Sequence, residues 1–198
     1  MFTGIIEQTG IIKNILQRGS NKTFTIEADM ASELKTDQSL SHDGVCLTVE
    51  TVSDKIYTVT AIEETLIKTT LNQWKEGSMI NLERSMQLNG RLDGHIVQGH
   101  VDAVATCTEV RDNKGSWEFI FTIPTEFSTL IIEKGSISIN GISLTIFNVT
   151  DHSFTVAIIP YTYQHSNIKE LKKGSLVNVE FDMIGKYITR IIQLNAIN

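Results

Sequence analysis

An all-β fold of two homologous domains is the structure that this sequence predicts, on three observations. The 198-residue chain contains a long internal repeat, its apolar segments are short, alternating and rich in Val, Ile and Thr, and Gly, Asp and Asn separate them. Alternating segments of β-branched residues are typical of strands, and the separating residues are typical of turns. Each domain is therefore expected to be a small barrel or sandwich with little helix.

The repeat is clearest in the stretches DGVCLTV, at Asp43–Val49, and NGISLTI, at Asn140–Ile146. A shift of 97 residues aligns Ser39–Glu83 with Ser136–Glu180 without a gap, and 16 of the 45 pairs are identical. TGIIE near the start also matches QGHVD at 98–102 loosely. A repeat of this length that occurs twice is a duplicated domain, because solenoids stack three or more shorter units. We expect domains at 1–87 and 88–183.

Within each half the pattern predicts a central hairpin followed by a short helix, a Gly turn and a last strand. The predicted hairpin strands are Val45–Val52 with Lys55–Ala61, around Ser53-Asp54, and Ile142–Val149 with Ser153–Ile159, around Asp151-His152. The helix, turn and strand follow Thr65 in the first half and Thr162 in the second.

The C-terminal segment, 184–198, departs from the duplication. It carries apolar residues at helical spacing, which predict a helix of three to four turns with one apolar stripe: Ile184, Tyr187, Ile188, Ile191 and Ile192. Such a stripe either packs back onto its own barrel or associates with the same stripe of other copies, and the sequence leaves both open.

Composition restricts the class of partner and the compartment. Net charge is −6 and no Lys/Arg block is present, which disfavours nucleic acid and anionic membranes and favours a small molecule or a protein. The N-terminus has no basic leader and no run reaches about 18 apolar residues, so a cytoplasmic protein is expected. Cys46 and Cys107 lie too far apart for a CxxC site and are expected to be thiols.

The repeated motif presents two faces if it forms a strand. Val45, Leu47 and Val49 point to one side and Cys46 and Thr48 to the other. The copy repeats this with Ile142, Leu144 and Ile146 opposite Ser143 and Thr145. The polar row suits a flat ligand that also reaches backbone groups near the tight turn. The alternative is a plain hairpin with a solvated face, and the recurrence of the same polar positions favours the ligand.

GHIVQGHVD places His95 and His100 in one short segment. Metal binding is disfavoured because no third ligand stands at zinc spacing and HExxH is absent. General acid–base use is the better functional hypothesis, and a structural hydrogen bond is the alternative. His42, His152 and His165 are interpreted as surface or turn residues.

Five segments together resemble riboflavin synthase of the α-chain type over nearly the whole chain: MFTGIIE, SLSHDGVCLTV, NLERSMQLNGRLDGHIVQGHVD, KGSISINGISLTI and VNVEFDMIGKY. The resemblance implies two six-stranded Greek-key barrels and a C-terminal helix that forms the contact of a homotrimer. It implies a dismutation in which two molecules of 6,7-dimethyl-8-ribityllumazine exchange a four-carbon unit, giving riboflavin and 5-amino-6-ribitylamino-pyrimidinedione. No metal or redox cofactor is implied, and two ligands held by barrels of neighbouring subunits would explain the duplication.

The resemblance also implies site residues in each half. The N-terminal site would use Gly4, Ile5, Ile6, Ser39, Cys46, Leu47, Thr48, Thr60, Ala61, Ile62, Glu63, Glu64 and Thr65. The C-terminal site would use Gly99, His100, Val101, Ser143, Leu144, Thr145, Ile158, Ile159, Pro160, Tyr161, Thr162 and Tyr163, with Lys134 reaching across from another subunit. His100 and Cys46 would serve proton transfer and nucleophile activation, with Ser39 and His95 in support.

Some positions depart from the family pattern. Asp43 and Asn140 are interchanged relative to the usual Asn and Asp, and Asp93-Gly94-His95 replaces Gly-Gly-His. A non-catalytic lumazine- or flavin-binding protein of the same fold is the competing hypothesis. Five retained residues argue against it: Cys46, His95, His100, Ser143 and Thr145. The sequence does not determine whether the chain docks with a lumazine synthase shell.

Overall fold

The computed structural model describes residues 1–195 and contains two closed six-stranded antiparallel barrels, which confirms the predicted fold class. The strands of the first barrel are β1 (Gln8–Arg18), β2 (Asn21–Glu27), β3 (Ser39–His42), β4 (Val45–Ser53), β5 (Ile56–Ala61) and β6 (Met79–Arg84). Those of the second are β7 (Ala103–Asp112), β8 (Trp117–Thr122), β9 (Ser136–Ile139), β10 (Ile142–Phe147), β11 (Ser153–Ile158) and β12 (Leu176–Phe181).

Both barrels have the same topology. The first closes in the order β1-β2-β5-β4-β3-β6 and the second in the equivalent order. Strands β3, β4 and β5 follow one another as hairpins, and β2 returns to pair with β5, which is a Greek key. The alternation of apolar and polar residues fixes which face of each strand points inward, so each barrel has its own core.

The hairpin predictions are confirmed with shifts at the strand ends. β4 ends at Ser53, one residue later than predicted, and β5 begins at Ile56. β10 ends at Phe147, two residues earlier, because Asn148 adopts a φ of +50° and starts a wider loop. Thr150 closes that loop by hydrogen bonds to Ser153.

A short helix follows the fifth strand of each barrel. α1 (Glu63–Lys68) and α2 (Pro160–His165) both begin directly after an extended residue, and the second has Pro at its first position, where no N–H is needed. Each is followed by a 3₁₀ segment, at Thr70–Gln73 and Asn167–Glu170. The helices therefore begin two residues before Thr65 and Thr162, whereas the sequence pattern predicted that they begin after these two residues.

The predicted C-terminal helix is α3 (Met183–Asn195), and residues 196–198 of the predicted segment lie outside the described residues. Its start packs beside the 3₁₀ segment Thr125–Leu130, and Lys186 forms an ion pair of 2.7 Å with Asp102. The five stripe residues are 52–65% exposed, so packing of the stripe onto its own barrel does not occur. Among residues 1–195 no helix is long and apolar enough to cross a bilayer.

Candidate functional site

The two motif strands place their side chains as the alternation predicts. In β4, Val45, Leu47 and Val49 are buried in the barrel, whereas Cys46 is half-buried and Thr48 exposed. In β10, Ser143 and Thr145 likewise face outward. A thiol and a hydroxyl thus stand at equivalent positions on two rigid strands, each beside a threonine.

The turns that precede the motif strands meet at the contact between the barrels. Asp43 and Gly44 have φ of +47° and +80°, and Asn140 and Gly141 have +45° and +79°, which is the type I′ hairpin geometry. A Cβ on Gly44 would lie 2.8 Å from the Gly141 nitrogen, and one on Gly141 would lie 2.9 Å from the Gly44 nitrogen. Only glycine permits this contact, which relates the two barrels by an approximate two-fold axis.

Two asparagines at equivalent positions connect the barrels around this axis. Asn81 and Asn178 are fully buried. Each side chain donates to the carbonyl of the opposite motif turn and accepts an N–H from the opposite 3₁₀ segment, through the contacts Asn81 Nδ2–Asn140 O (2.9 Å), Asn178 Nδ2–Asp43 O (2.9 Å), Asn167 N–Asn81 Oδ1 (2.7 Å) and Thr70 N–Asn178 Oδ1 (2.8 Å). The interface is therefore fixed by four symmetric hydrogen bonds of buried groups.

One titratable group breaks the symmetry of this interface. The Asp43 carboxyl accepts from the backbone N–H of Asn81 at 2.7 Å and from the side chain of Asn167 at 2.8 Å. Burial raises its pKa to about 7 because an ionised carboxylate loses its hydration there, although these hydrogen bonds oppose the rise. The equivalent Asn140 accepts the N–H of Asn178 with no charge.

The segments that precede the first strand of each barrel are exchanged between the barrels, which corrects the assignment made from the resemblance. The N–H of Ser143, in the second barrel, donates to the Gly4 carbonyl at 2.7 Å, and the N–H of Cys46, in the first, donates to the Gly99 carbonyl at 2.9 Å. Gly4–Ile6 therefore borders the C-terminal motif, and Gly99–Val101 borders the N-terminal motif.

Packing beyond the hydrogen bonds agrees with this exchange. Ile6 packs against the core of the second barrel and Val101 against the core of the first. Cβ atoms on Gly4 and Gly99, both at positive φ, would lie 2.5 and 2.6 Å from the Cβ atoms of Ser143 and Cys46. The resemblance carries residues over to positions in the chain, but only the approach of the two barrels decides which motif each segment reaches.

Two buried carboxylates hold the exchanged segments. Glu83 accepts from Thr3 N and Thr3 Oγ1, each at 2.6 Å, and from Gly4 N at 3.0 Å. Glu180 accepts from Gln98 N at 2.6 Å and from Gly99 N and His100 N at 2.9 Å each. Burial raises the pKa of both carboxyls, while the N–H donors act in the opposite direction.

His95 belongs to the C-terminal site. Its Nδ1 shares a hydrogen bond of 2.7 Å with the Ser143 hydroxyl, and its backbone N–H donates to Thr3 at 3.1 Å. Burial lowers the pKa of its imidazole, so the ring is largely neutral near pH 7. A neutral imidazole bonded to a hydroxyl can exchange a proton with it.

The C-terminal motif opens into a cavity of about 440 Å³. Its lining combines hydroxyl, amine and apolar groups: Lys134, Ser143, Leu144, Thr145, Phe147, Ala157, Ile159 and Thr162. The Lys134 amine lies 5.3 Å from the centre of the Phe147 ring. Lys134 thus lines the cavity of its own barrel, because the turn before β9 lies beside β10, and its contact with a neighbouring subunit stays a prediction.

The other catalytic candidates lie at the N-terminal motif. Ser39 pairs with Thr48 across β3 and β4, so the two side chains share the outer face with Cys46. His100 is exposed and is joined to this face through the bond between Cys46 and Gly99. The expected group of Cys46, His100 and Ser39 therefore lies around one motif, whereas His95 lies at the other.

The segments after β5 and β11 are divided between core and surface. Ala61 and Ile158 are buried in the barrels, and Thr60 bonds to Thr23 at 2.9 Å. The next residues face outward: Ile62, Glu63 and Glu64 in the first half, with Thr65 half-buried, and Ile159, Pro160 and Tyr161 in the second. Tyr163 stacks on Trp117 with ring centres 3.7 Å apart, which leaves Tyr161 as the exposed ring.

The interpretation of His42 as a surface residue is wrong. His42 is fully buried at the end of β3, where Nδ1 donates to the Leu40 carbonyl and Nε2 lies 3.0 Å from the Tyr57 hydroxyl. Burial lowers its pKa to about 3. The repeat contains the signal that was missed, since His42 aligns with the core residue Ile139. His152 and His165 are exposed, as expected.

Asn81 is identical to Asn178 in the aligned repeat, and Glu83 to Glu180, yet no role was predicted for these four residues. Identical polar residues that alternate with the core residues of a strand, on its outward face, could have indicated a contact between the barrels, because burial of such groups requires specific partners. Within residues 1–195 no group of three or more His, Cys, Asp or Glu side chains is arranged to hold a metal ion.

Comparisons with known proteins agree with the architecture. The lumazine binding domain model matches residues 3–85 and again 98–182. Riboflavin synthase of Actinobacillus pleuropneumoniae is 42% identical over 194 residues, covering 97% of this chain and 90% of that protein. The synthase of Bacillus amyloliquefaciens is 40% identical with the same coverage, and that of Schizosaccharomyces pombe is 37% identical, covering 98% and 94%.

Among solved structures, LumP complexed with riboflavin has a TM-score of 0.86 at 26% identity, covering 91% of this chain and 99% of LumP. LumP complexed with 6,7-dimethyl-8-(1'-D-ribityl) lumazine has a TM-score of 0.83 at 25% identity. Identity to the synthases exceeds that to LumP, so the non-catalytic alternative is not favoured. With a lumazine binding domain in each half and synthase relatives along nearly its whole length, the chain belongs to the riboflavin synthase family.

Proposed function

We propose that the chain converts two molecules of 6,7-dimethyl-8-ribityllumazine into riboflavin and 5-amino-6-ribitylamino-pyrimidinedione, with one molecule at each motif. The observation that supports this proposal most directly is the duplication of the site. Two equivalent polar strand faces, on β4 and β10, are each bordered by a segment from the opposite half that contains a glycine. These glycine segments are Gly99–Val101, beside β4, and Gly4–Ile6, beside β10. Two identical reactants are suitably bound by two copies of one site.

The two sites differ in the groups that they supply. The N-terminal motif has the Cys46 thiol with His100 on the neighbouring segment, and the C-terminal motif has Ser143 bonded to His95, with Lys134 in its cavity. The reaction requires removal of a proton from the C7 methyl of one molecule and activation of a nucleophile that adds at C7 of the other. Thiol and imidazole groups serve both steps, and orientation of the two rings supplies much of the rest.

The exposed surfaces support a proposal for the assembly. We propose a homotrimer in which α3 supplies the contact and the N-terminal site of one subunit faces the C-terminal site of the next. Apolar side chains beside both sites support this, since Ile62, Ile159 and Tyr161 are 54–67% exposed. Apolar surface of this kind next to a binding site is typical of an interface.

The test is incubation of the purified protein with 6,7-dimethyl-8-ribityllumazine alone, followed by measurement of riboflavin. We expect two lumazine molecules consumed per riboflavin formed, and an unchanged rate in the presence of a chelator. Tight binding of the lumazine without conversion would instead support a carrier protein like LumP. Activity lost to a chelator and restored by zinc would contradict a reaction that uses only groups of the chain.

A further inference from the structure

Glu83 and Glu180 occupy equivalent positions in the last strands, β6 and β12, and are only 3% and 2% exposed. Among residues 1–195 no ion pair involves either carboxylate. Their partners are three donors each on the neighbouring glycine segment, all but one of them backbone N–H groups. Two buried carboxylates outside any direct ion pair are unfavourable for stability by themselves, although the Lys186 ammonium, which pairs with Asp102, acts to lower the pKa of Glu180. Their role is therefore expected in the segments that they hold.

Each carboxylate belongs to one barrel and holds a segment that borders the motif of the other. From Glu180, in the second barrel, the contacts run to Gly99 N at 2.9 Å and from Gly99 O to Cys46 N at 2.9 Å, in the first barrel. From Glu83, in the first barrel, they run to Gly4 N at 3.0 Å and from Gly4 O to Ser143 N at 2.7 Å.

The geometry points to a crossed positioning role: Glu180 sets the N-terminal site and Glu83 sets the C-terminal site. This inference rests on the proposed function for its catalytic consequence. Glu180 also binds the N–H of His100, so it fixes the backbone that carries the proposed proton-transfer group. Glu83 fixes Thr3, whose carbonyl accepts from His95, the residue bonded to Ser143.

A displacement of either segment is costly for catalysis because the contacts are already at the closest possible approach. There is no room for a Cβ atom on Gly99 against Cys46 or on Gly4 against Ser143. Each segment can therefore occupy only one position against its motif strand. Proton transfer needs donor and acceptor within hydrogen-bond distance, and misplacement of about 1 Å lowers rates by about 100-fold.

The experiment compares Glu180→Gln and Glu83→Gln in the full-length protein. Glutamine keeps the size of the side chain, but its amide places N–H donors against backbone N–H donors. Hydrogen exchange of the Cys46 and Ser143 amides reports separately on the two contacts between a glycine segment and a motif strand. We expect Glu180→Gln to accelerate exchange of the Cys46 amide at least about tenfold and to leave Ser143 unchanged, and Glu83→Gln to do the opposite.

Thiol alkylation gives a second, independent reading, because Cys46 is half-buried and Cys107 is buried. Glu180→Gln should change the alkylation rate of Cys46, whereas Glu83→Gln should not. Both variants should lower kcat at least about tenfold with a smaller change of KM. Equal acceleration of both amides, or an effect confined to the variant's own barrel, would overturn the crossed role.

Failure of the proposed function is distinguishable from failure of this inference. If the parent protein does not form riboflavin, the exchange and alkylation patterns still report whether the carboxylates act across the barrels. If the parent is active and the crossed pattern appears while both variants keep the parental kcat, the segments are held as inferred but do not position the reacting groups, which contradicts the catalytic consequence.

Discussion

Cys46 and Ser143 stand at equivalent positions of the two motifs, so the chain itself contains the comparison of a thiol with a hydroxyl. Both lie on the outer face of a rigid strand and each N–H binds the carbonyl of a glycine segment. A hydroxyl therefore fits this position. The difference between the two sites at this point is chemical, because a thiol is the more acidic and nucleophilic group.

From this we predict that Cys46→Ser lowers kcat by about 10- to 100-fold and leaves binding of the lumazine largely intact. Steady-state kinetics and equilibrium titration of the ligand measure the two effects. The control is Cys107→Ser, since Cys107 is fully buried in the core of the second barrel and lies at neither motif. Parental turnover in Cys46→Ser together with a loss in Cys107→Ser would contradict the assignment of the thiol.

Asp43 and Asn140 provide a second internal comparison. With a pKa near 7 in the folded protein, above its ordinary 3.8, the Asp43 carboxyl contributes stability below about pH 4 that is lost as the pH rises through about 7. We predict that Asp43→Asn increases the free energy of unfolding at pH 8 by about 1–4 kcal/mol and changes it little at pH 4, because the amide carries no charge to desolvate.

Chemical unfolding of variant and parent at both pH values checks this prediction. Variant and parent share His42, Glu83 and Glu180, whose pKa values are also shifted by burial. The contributions of these groups therefore cancel when the unfolding free energies of variant and parent are subtracted at the same pH. The mirror change Asn140→Asp is expected to destabilise the protein at pH 8. An increase of stability that is the same at both pH values would show that ionisation of Asp43 is not its cause.

Among the elements, α3 is the one whose burial pattern does not match its sequence. A helix with one apolar stripe normally buries that stripe, yet Ile184, Ile188 and Ile191 are more than half exposed. Its polar side is already engaged, since Lys186 pairs with Asp102. The stripe is therefore available to other copies of the chain.

We predict that truncation after Met183 leaves both barrels folded and weakens self-association. Ile188→Glu should have the same effect in the full-length protein, because a charge in an apolar helix contact is unfavourable. Gln193→Glu, on the opposite side of the helix, is the matched control and should leave association unchanged. Sedimentation velocity measures the assembly, and an unchanged assembly in the truncated protein would exclude this role for α3.

The glycine segments show how an element can be assigned to the wrong place by sequence order. Thr3–Ile5 precedes the first barrel along the chain, but its contacts with a motif are to the second. The position of the glycine segments could not be predicted from the sequence. The hydrogen bonds that fix it join Gly4 to Ser143, 139 residues apart, and Gly99 to Cys46, 53 residues apart, and depend on how the two folded barrels meet.

In the whole molecule, the two barrels are related by an approximate two-fold axis, like the subunits of a homodimer, but they belong to one polypeptide. The asparagine contacts are the same in both directions across the axis, and both barrels have complete cores of their own. A single half therefore carries both sides of the interface, including a glycine segment and a motif strand that can receive one.

We predict that residues 1–87 alone fold and form a homodimer, with Thr3–Ile5 of each copy against β4 of the other. Sedimentation equilibrium should give twice the fragment mass, and Asn81→Ala in the fragment should shift it to a monomer. The dimer should weaken above pH 7, where Asp43 of both copies is ionised in the interface. A fragment that stays monomeric at all concentrations would contradict the equivalence of the two halves.

The duplication, the strand class and the tight turns could be predicted from the sequence, as could the outward row of Cys46, Thr48, Ser143 and Thr145. All of these depend on local alternation or on comparison of the chain with itself. The tertiary structure decided which half each glycine segment completes, that Glu83 and Glu180 hold those segments, that Lys134 reaches its own barrel, and that His42 is buried. These facts depend on distances between residues far apart in sequence. Such distances are set by closure of the barrels and by their packing about the two-fold axis, and no periodicity along the chain encodes them.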